Sequence, residues 1–196
     1  MNIVERAKNI ILTPKTEWPV IAGETPVIAQ IFTGYVLPLA LIPAIGSLIG
    51  WGFVGMGFAS SLTWGIAQAI IAFLSAFIVV YVAAFVIDIL APNFASEKNL
   101  PRAVQLVAYS FTPGWIAGIL NVVPALSVLV LIANLYGLYL LYLGLPHLMK
   151  TPEDKTLTYV IVAVLVTLVV YFVVGAILSL VIMGLFGLSS AAMMGM

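Results

Sequence analysis

Few residues of this 196-residue chain could do chemistry, and most of them stand in apolar surroundings. Asp88 is the sharpest, in Val86-Ile-Asp-Ile-Leu-Ala-Pro92. A carboxylate in hydrocarbon is costly, so it needs a partner or water. It could bind a cation or exchange a proton at the mouth of a cavity, or simply pair with its own loop through Lys98 or Arg102. Pro113-Gly114 interrupts a second apolar stretch, and broken helices of this kind often form transport sites. Asn121 and Asn134, with Gln68 and Gln105, can bond neighbouring helices at about 0.6 kcal/mol each. Tyr136, Tyr139 and Tyr142 recur every three residues, and Tyr109 and Phe111 lie in the preceding apolar stretch. They could line a cavity with hydroxyls or serve as packing and anchors. His147 is the one histidine and there is no cysteine. A zinc site therefore lacks ligands, and a headgroup-level or capping role fits His147 better. Glu153-Asp154 suits the first turn of a helix, where acids complement the dipole. No nucleophile elbow, phosphate loop or metalloprotease helix is present, so neither an enzyme nor a cofactor is expected.

The charges show what must position these groups. Arg6, Lys8 and Lys15 lie in the first 24 residues, Lys98 and Arg102 in a middle loop, and Lys150 and Lys155 in a third. Residues 25–87 carry no charge, nor do residues 103–149 or 156–196. A bilayer core about 30 Å thick takes about 20 helical residues to cross. Each internal stretch therefore crosses twice and returns its basic patch to the same side, which the positive-inside rule makes cytoplasmic. The expectation is an all-α integral membrane protein with five transmembrane helices, its N-terminus cytoplasmic and its C-terminus external. In a bacterium this would be the plasma (inner) membrane. Hydrophobic residues at 64% and charged residues at 7% exclude a soluble fold, where about 25% charged is usual. A net charge of zero argues against nucleic acid as a partner. No cleavable leader is expected, since the first apolar run starts near Pro26, behind a charged segment.

Residues 1–24 read as a cytoplasmic interfacial segment. Ile3, Val4, Ala7, Ile10 and Ile11 share one helical face, with Glu5, Arg6, Lys8 and Asn9 opposite. Thr13-Pro14 ends that helix, and Trp18 is placed at the headgroups. The segment lies in the membrane surface by its apolar face, or else packs on the cytoplasmic loops. The crossings within 25–196 are expected at about 28–50, 62–90, 103–121, 125–146 and 156–186. Pro38 and Pro43 kink the first. The glycines at 50, 52, 55 and 57 break the helix into an external turn over 50–61. Residues 121–124 make a second external turn. The last crossing has no internal proline and should be the most regular and lipid-facing. Gly46/Gly50 and Gly114/Gly118 have the spacing that lets helices approach closely, within the bundle or between copies.

Several segments resemble the Yip1 domain family. They are Ala108-Tyr-Ser-Phe-Thr-Pro-Gly-Trp115 with the Asn-Pro turn after it, and Leu135-Tyr-Gly-Leu-Tyr-Leu-Leu-Tyr-Leu-Gly-Leu-Pro-His-Leu-Met-Lys150 running into Thr151-Pro-Glu-Asp-Lys155. The opening Ala7-Lys-Asn-Ile-Ile-Leu-Thr-Pro-Lys-Thr-Glu-Trp18 is similar to its shorter, bacterial-type members. The resemblance implies five transmembrane helices. It also implies a link to vesicle trafficking, where eukaryotic relatives associate with Rab GTPases. Those relatives carry a longer N-terminal region with an Asp-Leu-Tyr-Gly-Pro type motif, which is missing here, so Rab binding is not expected.

The expected function is a non-enzymatic scaffold or interaction protein in membrane organisation or trafficking, with lipid, other membrane proteins or itself as partners. The alternative is a small cation or proton transporter using Asp88 and the broken third helix. The topology has a direct test. Cysteines placed at Ser60, Asn121 and Ser190 should react with an impermeant thiol reagent outside intact cells. Cysteines at Asn99 and Thr151 should stay protected until the membrane is opened, and external labelling at position 99 would sink the five-crossing arrangement.

Overall fold

The computed structural model describes residues 2–55 and 61–185, and every regular element among them is helical. Two short helices lead, α1 (Ile3–Leu12) and α2 (Pro14–Ala22). Five helices long and apolar enough to cross a membrane follow: span 1 (Ile28–Val54), span 2 (Leu62–Phe94), span 3 (Leu100–Val122), span 4 (Ser127–Met149) and span 5 (Glu153–Leu185). At about 1.5 Å per residue the 33-residue spans 2 and 5 exceed an ~30 Å hydrocarbon core, so they tilt or protrude. Span 2 packs mainly on spans 1 and 5, and span 3 lies against spans 1, 2 and 4. Span 3 is the most buried and span 5 the least. The unbroken, exposed fifth span matches its Val- and Leu-rich sequence.

The three basic patches meet at one end, as the spacing of charges requires. Arg102 Nη1 donates to the Ile21 carbonyl at 3.3 Å, which ties α2 to span 3. The Glu97 amide donates to the Met149 carbonyl at 2.8 Å, and Ser96 Oγ donates to Thr151 Oγ1 at 2.8 Å. Lys150 Nζ reaches Glu97 Oε1 at 2.7 Å. The loops after spans 2 and 4 and the N-terminal hairpin therefore form one charged end.

Close approach of backbones holds the opposite half. A Cβ on Gly50 would strike the Asn121 carbonyl oxygen, and one on Gly46 the Gly118 carbonyl oxygen. A Cβ on Gly118 would in turn press on Pro43. Both small-residue pairs thus have partners inside the chain. Gly46/Gly50 and Gly118 seam span 1 to the end of span 3, and Gly114 lies under the Asn134 amide of span 4.

Glycine density misleads at the end of span 1. The helix was expected to break at Gly50, yet it continues to Val54 as a π turn, Gly50–Val54. Both Gly50 and Gly52 are buried there: the Asn121 backbone leaves no room for a side chain at Gly50, and Gly52 lies where a Cβ on Gly65 would strike it. Helix ends only at Gly55, whose φ of 66° suits a residue without Cβ. The rest of the expected turn, residues 56–60, lies outside the described residues, as does the tail 186–196. A second π turn, Phe32–Val36, precedes Pro38. There the Leu37 amide reaches back to the Phe32 carbonyl, and Pro38 has no N–H to donate. Gly50→Leu should cost about 3 kcal/mol through overpacking, seen as a lower thermal-unfolding midpoint in detergent. Gly175→Leu, where a Cβ meets nothing within 4 Å, should leave the midpoint unchanged. Equal effects would refute the seam.

Candidate functional site

Span 3 breaks between Ser110 and Thr112. Pro113 has no N–H for the carbonyl four residues back, that of Tyr109. Thr112 Oγ1 donates to this oxygen instead, at 2.7 Å. With its proton committed, Thr112 accepts from the Tyr35 hydroxyl of span 1, also at 2.7 Å. The freed backbone is thus satisfied by one buried threonine held by one buried tyrosine, as a break inside a membrane demands. The Tyr35 and Tyr109 rings meet edge to face, centroids 4.6 Å apart.

The N-terminal hairpin roofs this break. Arg6 of α1 is 4% exposed and bonds both Glu17 of α2 and Glu24 of the linker to span 1. Its guanidinium lies 5.4 Å from the centre of the Tyr109 ring. Glu24 Oε2 accepts from Gln105 Nε2 at 3.3 Å, and Gln105 Oε1 accepts from Arg102 Nη1 at 3.2 Å. Arg102, Gln105, Glu24, Arg6 and Glu17 therefore form one continuous polar chain. Tyr136 of span 4 donates to the Ile11 carbonyl at 2.7 Å and holds the end of α1. Beneath the hairpin is a cavity of about 340 Å³, lined by Arg6, Glu24, Gln30, Tyr35, Gln105 and Tyr109 among others.

The hairpin departs from the sequence reading in two residues. Trp18, expected at the headgroups, is fully buried against Leu106 and Gly144, where a Cβ would come within 2.8 Å of its ring. Arg6, assigned to the polar outer face, is buried. Ala7 and Ile10 face the bundle, while Val4 and Leu12 stay exposed. Periodicity identifies the apolar face of a helix, and not what covers it.

The residues singled out from the sequence do not converge. Asp88 is buried, with Lys98 Nζ 4.0 Å from Oδ2, and Oδ1 finds no partner among the described residues. Arg102, the other candidate counter-charge, is engaged by Ile21 and Gln105. Beside Asp88, the Tyr159 hydroxyl donates to the Ile87 carbonyl and its ring stacks on Phe94. Tyr109 and Pro113 belong to the break in span 3. Asn121 covers Gly46 and Gly50, and Asn134 covers Gly114 from the exposed side of span 4. His147 is exposed and holds Nδ1 2.9 Å from the Leu143 carbonyl one turn back. The tyrosine stripe divides, Tyr136 to the hairpin and Tyr139 and Tyr142 outward. Arg6, Glu17, Glu24, Tyr35, Gln105 and Thr112 form the cluster that sequence reasoning did not assemble. Its one signal was Glu24 itself, a carboxylate set just before the first apolar run.

Five spans with their charges gathered at one end define a polytopic integral membrane protein. Residues 8–177 match the Yip1 domain, and the chain belongs to that family. It is similar to the Inner membrane protein YohC of Escherichia coli strain K12, at 30% identity over 156 residues, covering 74% of this chain and 80% of the relative. YohC of Escherichia coli O6:H1 shows the same identity and coverage. No solved structure matches.

The polar chain has a measurable consequence. Removing one member of a buried ion pair strands the other charge, typically at about 3–5 kcal/mol. Arg6→Met should cost that much, read as a loss of thermal stability in detergent. Lys150→Met, which breaks an exposed pair, should change stability by less than about 1 kcal/mol. Comparable losses in the two variants would contradict the ranking.

Proposed function

We propose that this protein is a non-enzymatic membrane scaffold that binds other membrane proteins, or a second copy of itself, within the bilayer. Asn134 carries this reading. It lies seven residues into span 4, is exposed, and its amide makes no hydrogen bond to another described residue. Lipid tails cannot satisfy an amide, whereas a side chain from another helix can. Around it Leu131, Leu135, Tyr139 and Tyr142 extend an exposed face along span 4, and Leu165, Leu168 and Phe172 are exposed on span 5. Family membership and an inner-membrane relative support a role in membrane organisation or trafficking. The positive-inside rule places the charged end in the cytoplasm and the end of span 5 outside, and YohC's name points to the plasma (inner) membrane. Rab binding forms no part of the proposal.

The transport alternative needs Asp88 and the break in span 3 to share a cavity. The cavity beside Tyr35 and Tyr109 is lined by neither Asp88 nor Pro113. The scaffold reading predicts that protein extracted in mild detergent carries a partner or self-associates. Asn134→Leu should reduce that association, while Asn134→Gln, which keeps the amide, should preserve it. A partnerless monomer in nanodiscs, or an Asn134→Leu variant that assembles like the parent, would count against it.

A further inference from the structure

The cavity under the hairpin lies where polar lining gives way to apolar lining. Arg6, Glu24, Gln30, Gln105 and Tyr109 supply polar atoms, and Ile3, Val27 and Ile31 supply apolar wall. Val27 precedes span 1, and within it the lining residues Gln30, Ile31 and Gly34 fall at i, i+1 and i+4, which is one helical face. At about 1.5 Å per residue that face runs ~10 Å into the span. It ends at Gly34, which is exposed and has nothing within 4 Å of where a Cβ would stand. Gly34 also lies within the π turn, a local irregularity often found at functional sites. The result is a groove that starts polar at the charged end and opens sideways along an apolar helix. That is the shape of a lipid, with its headgroup under α1 and a chain beside span 1.

The charges select the headgroup. Arg6 is compensated by two carboxylates, and its side chain is 5% exposed. A lipid phosphate therefore finds no free cation in the lining. Arg102, the next positive charge, is turned to Gln105 and the Ile21 carbonyl and does not line the cavity. Glu24 is different. Its side chain is 38% exposed at the cavity wall, and it shares its one ion-pair partner, Arg6, with Glu17. Each Glu24 oxygen has one protein donor and can accept another hydrogen bond. A primary ammonium can donate to it, and a quaternary one cannot.

We infer that this groove binds a phospholipid whose headgroup carries a primary amine, held by Glu24 with a chain lying past Gly34. The site is separate from the exposed face of spans 4 and 5, so its test does not depend on the scaffold reading. The full-length protein would be purified and exposed to equimolar phosphatidylethanolamine, phosphatidylcholine and phosphatidylglycerol, with bound lipid counted by native mass spectrometry. Phosphatidylethanolamine should be retained about tenfold over phosphatidylcholine, the preference one charge-assisted hydrogen bond supplies. Glu24→Gln should erase the preference. Gly34→Leu, which meets no neighbour, should leave the unfolding midpoint unchanged and abolish retention of phosphatidylethanolamine. Free ethanolamine should compete poorly, because it lacks the chain. Four results would overturn the inference: equal retention of amine and choline lipids, preference for phosphatidylglycerol, undiminished binding by a folded Gly34→Leu protein, or full displacement by free ethanolamine.

Discussion

Arg6 lies almost out of reach of solvent between Glu17 and Glu24, and the charged end of the molecule is arranged around it. A buried guanidinium is tolerable only when its charge is matched and its hydrogen bonds are made. Here one carboxylate comes from α2 and the other from the linker into span 1. The match therefore exists only when α1, α2 and the start of span 1 are folded together. Gln105 and Arg102 extend it to span 3. Two short helices that would be marginal alone become a fixed roof, with Trp18 as its apolar plug and the Tyr109 ring as its floor.

Below that roof, the demand that every backbone polar group be satisfied decides the rest. Proline removes donors from spans 1 and 3. A π turn precedes Pro38, and before Pro113 the Thr112–Tyr35 pair takes up the freed carbonyl. Glycine serves the opposite purpose, removing side chains where spans 1 and 3 touch backbone to backbone. The same irregularities shape the cavity. The break brings Tyr109 under the roof, the π turn leaves Gly34 open beside it, and the cavity lies between them. The far side of the bundle is regular and exposed, and there the Asn134 amide covers Gly114.

Much of this is legible in the order of the amino acids. Seven basic residues in three patches, with uncharged intervals of two-crossing length, dictate five spans and one charged end, because bilayer thickness converts residue counts into topology. The break at Pro113 follows from a missing N–H, and the regular, exposed span 5 from a Val- and Leu-rich sequence with no internal proline. Other features depend on contacts distant in sequence. Gly50 reads as a helix breaker until the Asn121 backbone is found against it, a tertiary contact overriding propensity. Trp18 has the amphipathic character of an interfacial anchor, and only Gly144 opposite shows that it is a core residue. Glu17 and Glu24 gain meaning from Arg6, which lies eleven and eighteen residues away on a separate helix. Asp88 stood out because its neighbours in sequence are apolar, and in space it keeps one distant lysine and an oxygen without a partner among the described residues.

The most direct test of the docked hairpin is the environment of Trp18. With Trp51, Trp64 and Trp115 replaced by phenylalanine, its fluorescence can be read alone in nanodiscs. Iodide in the aqueous phase and a nitroxide attached to the lipid headgroup would serve as quenchers. A tryptophan with no exposed surface, packed on Leu106 and Gly144, should be protected from both. Strong quenching by the headgroup nitroxide would place the indole in the membrane surface and contradict the roof on which the account depends.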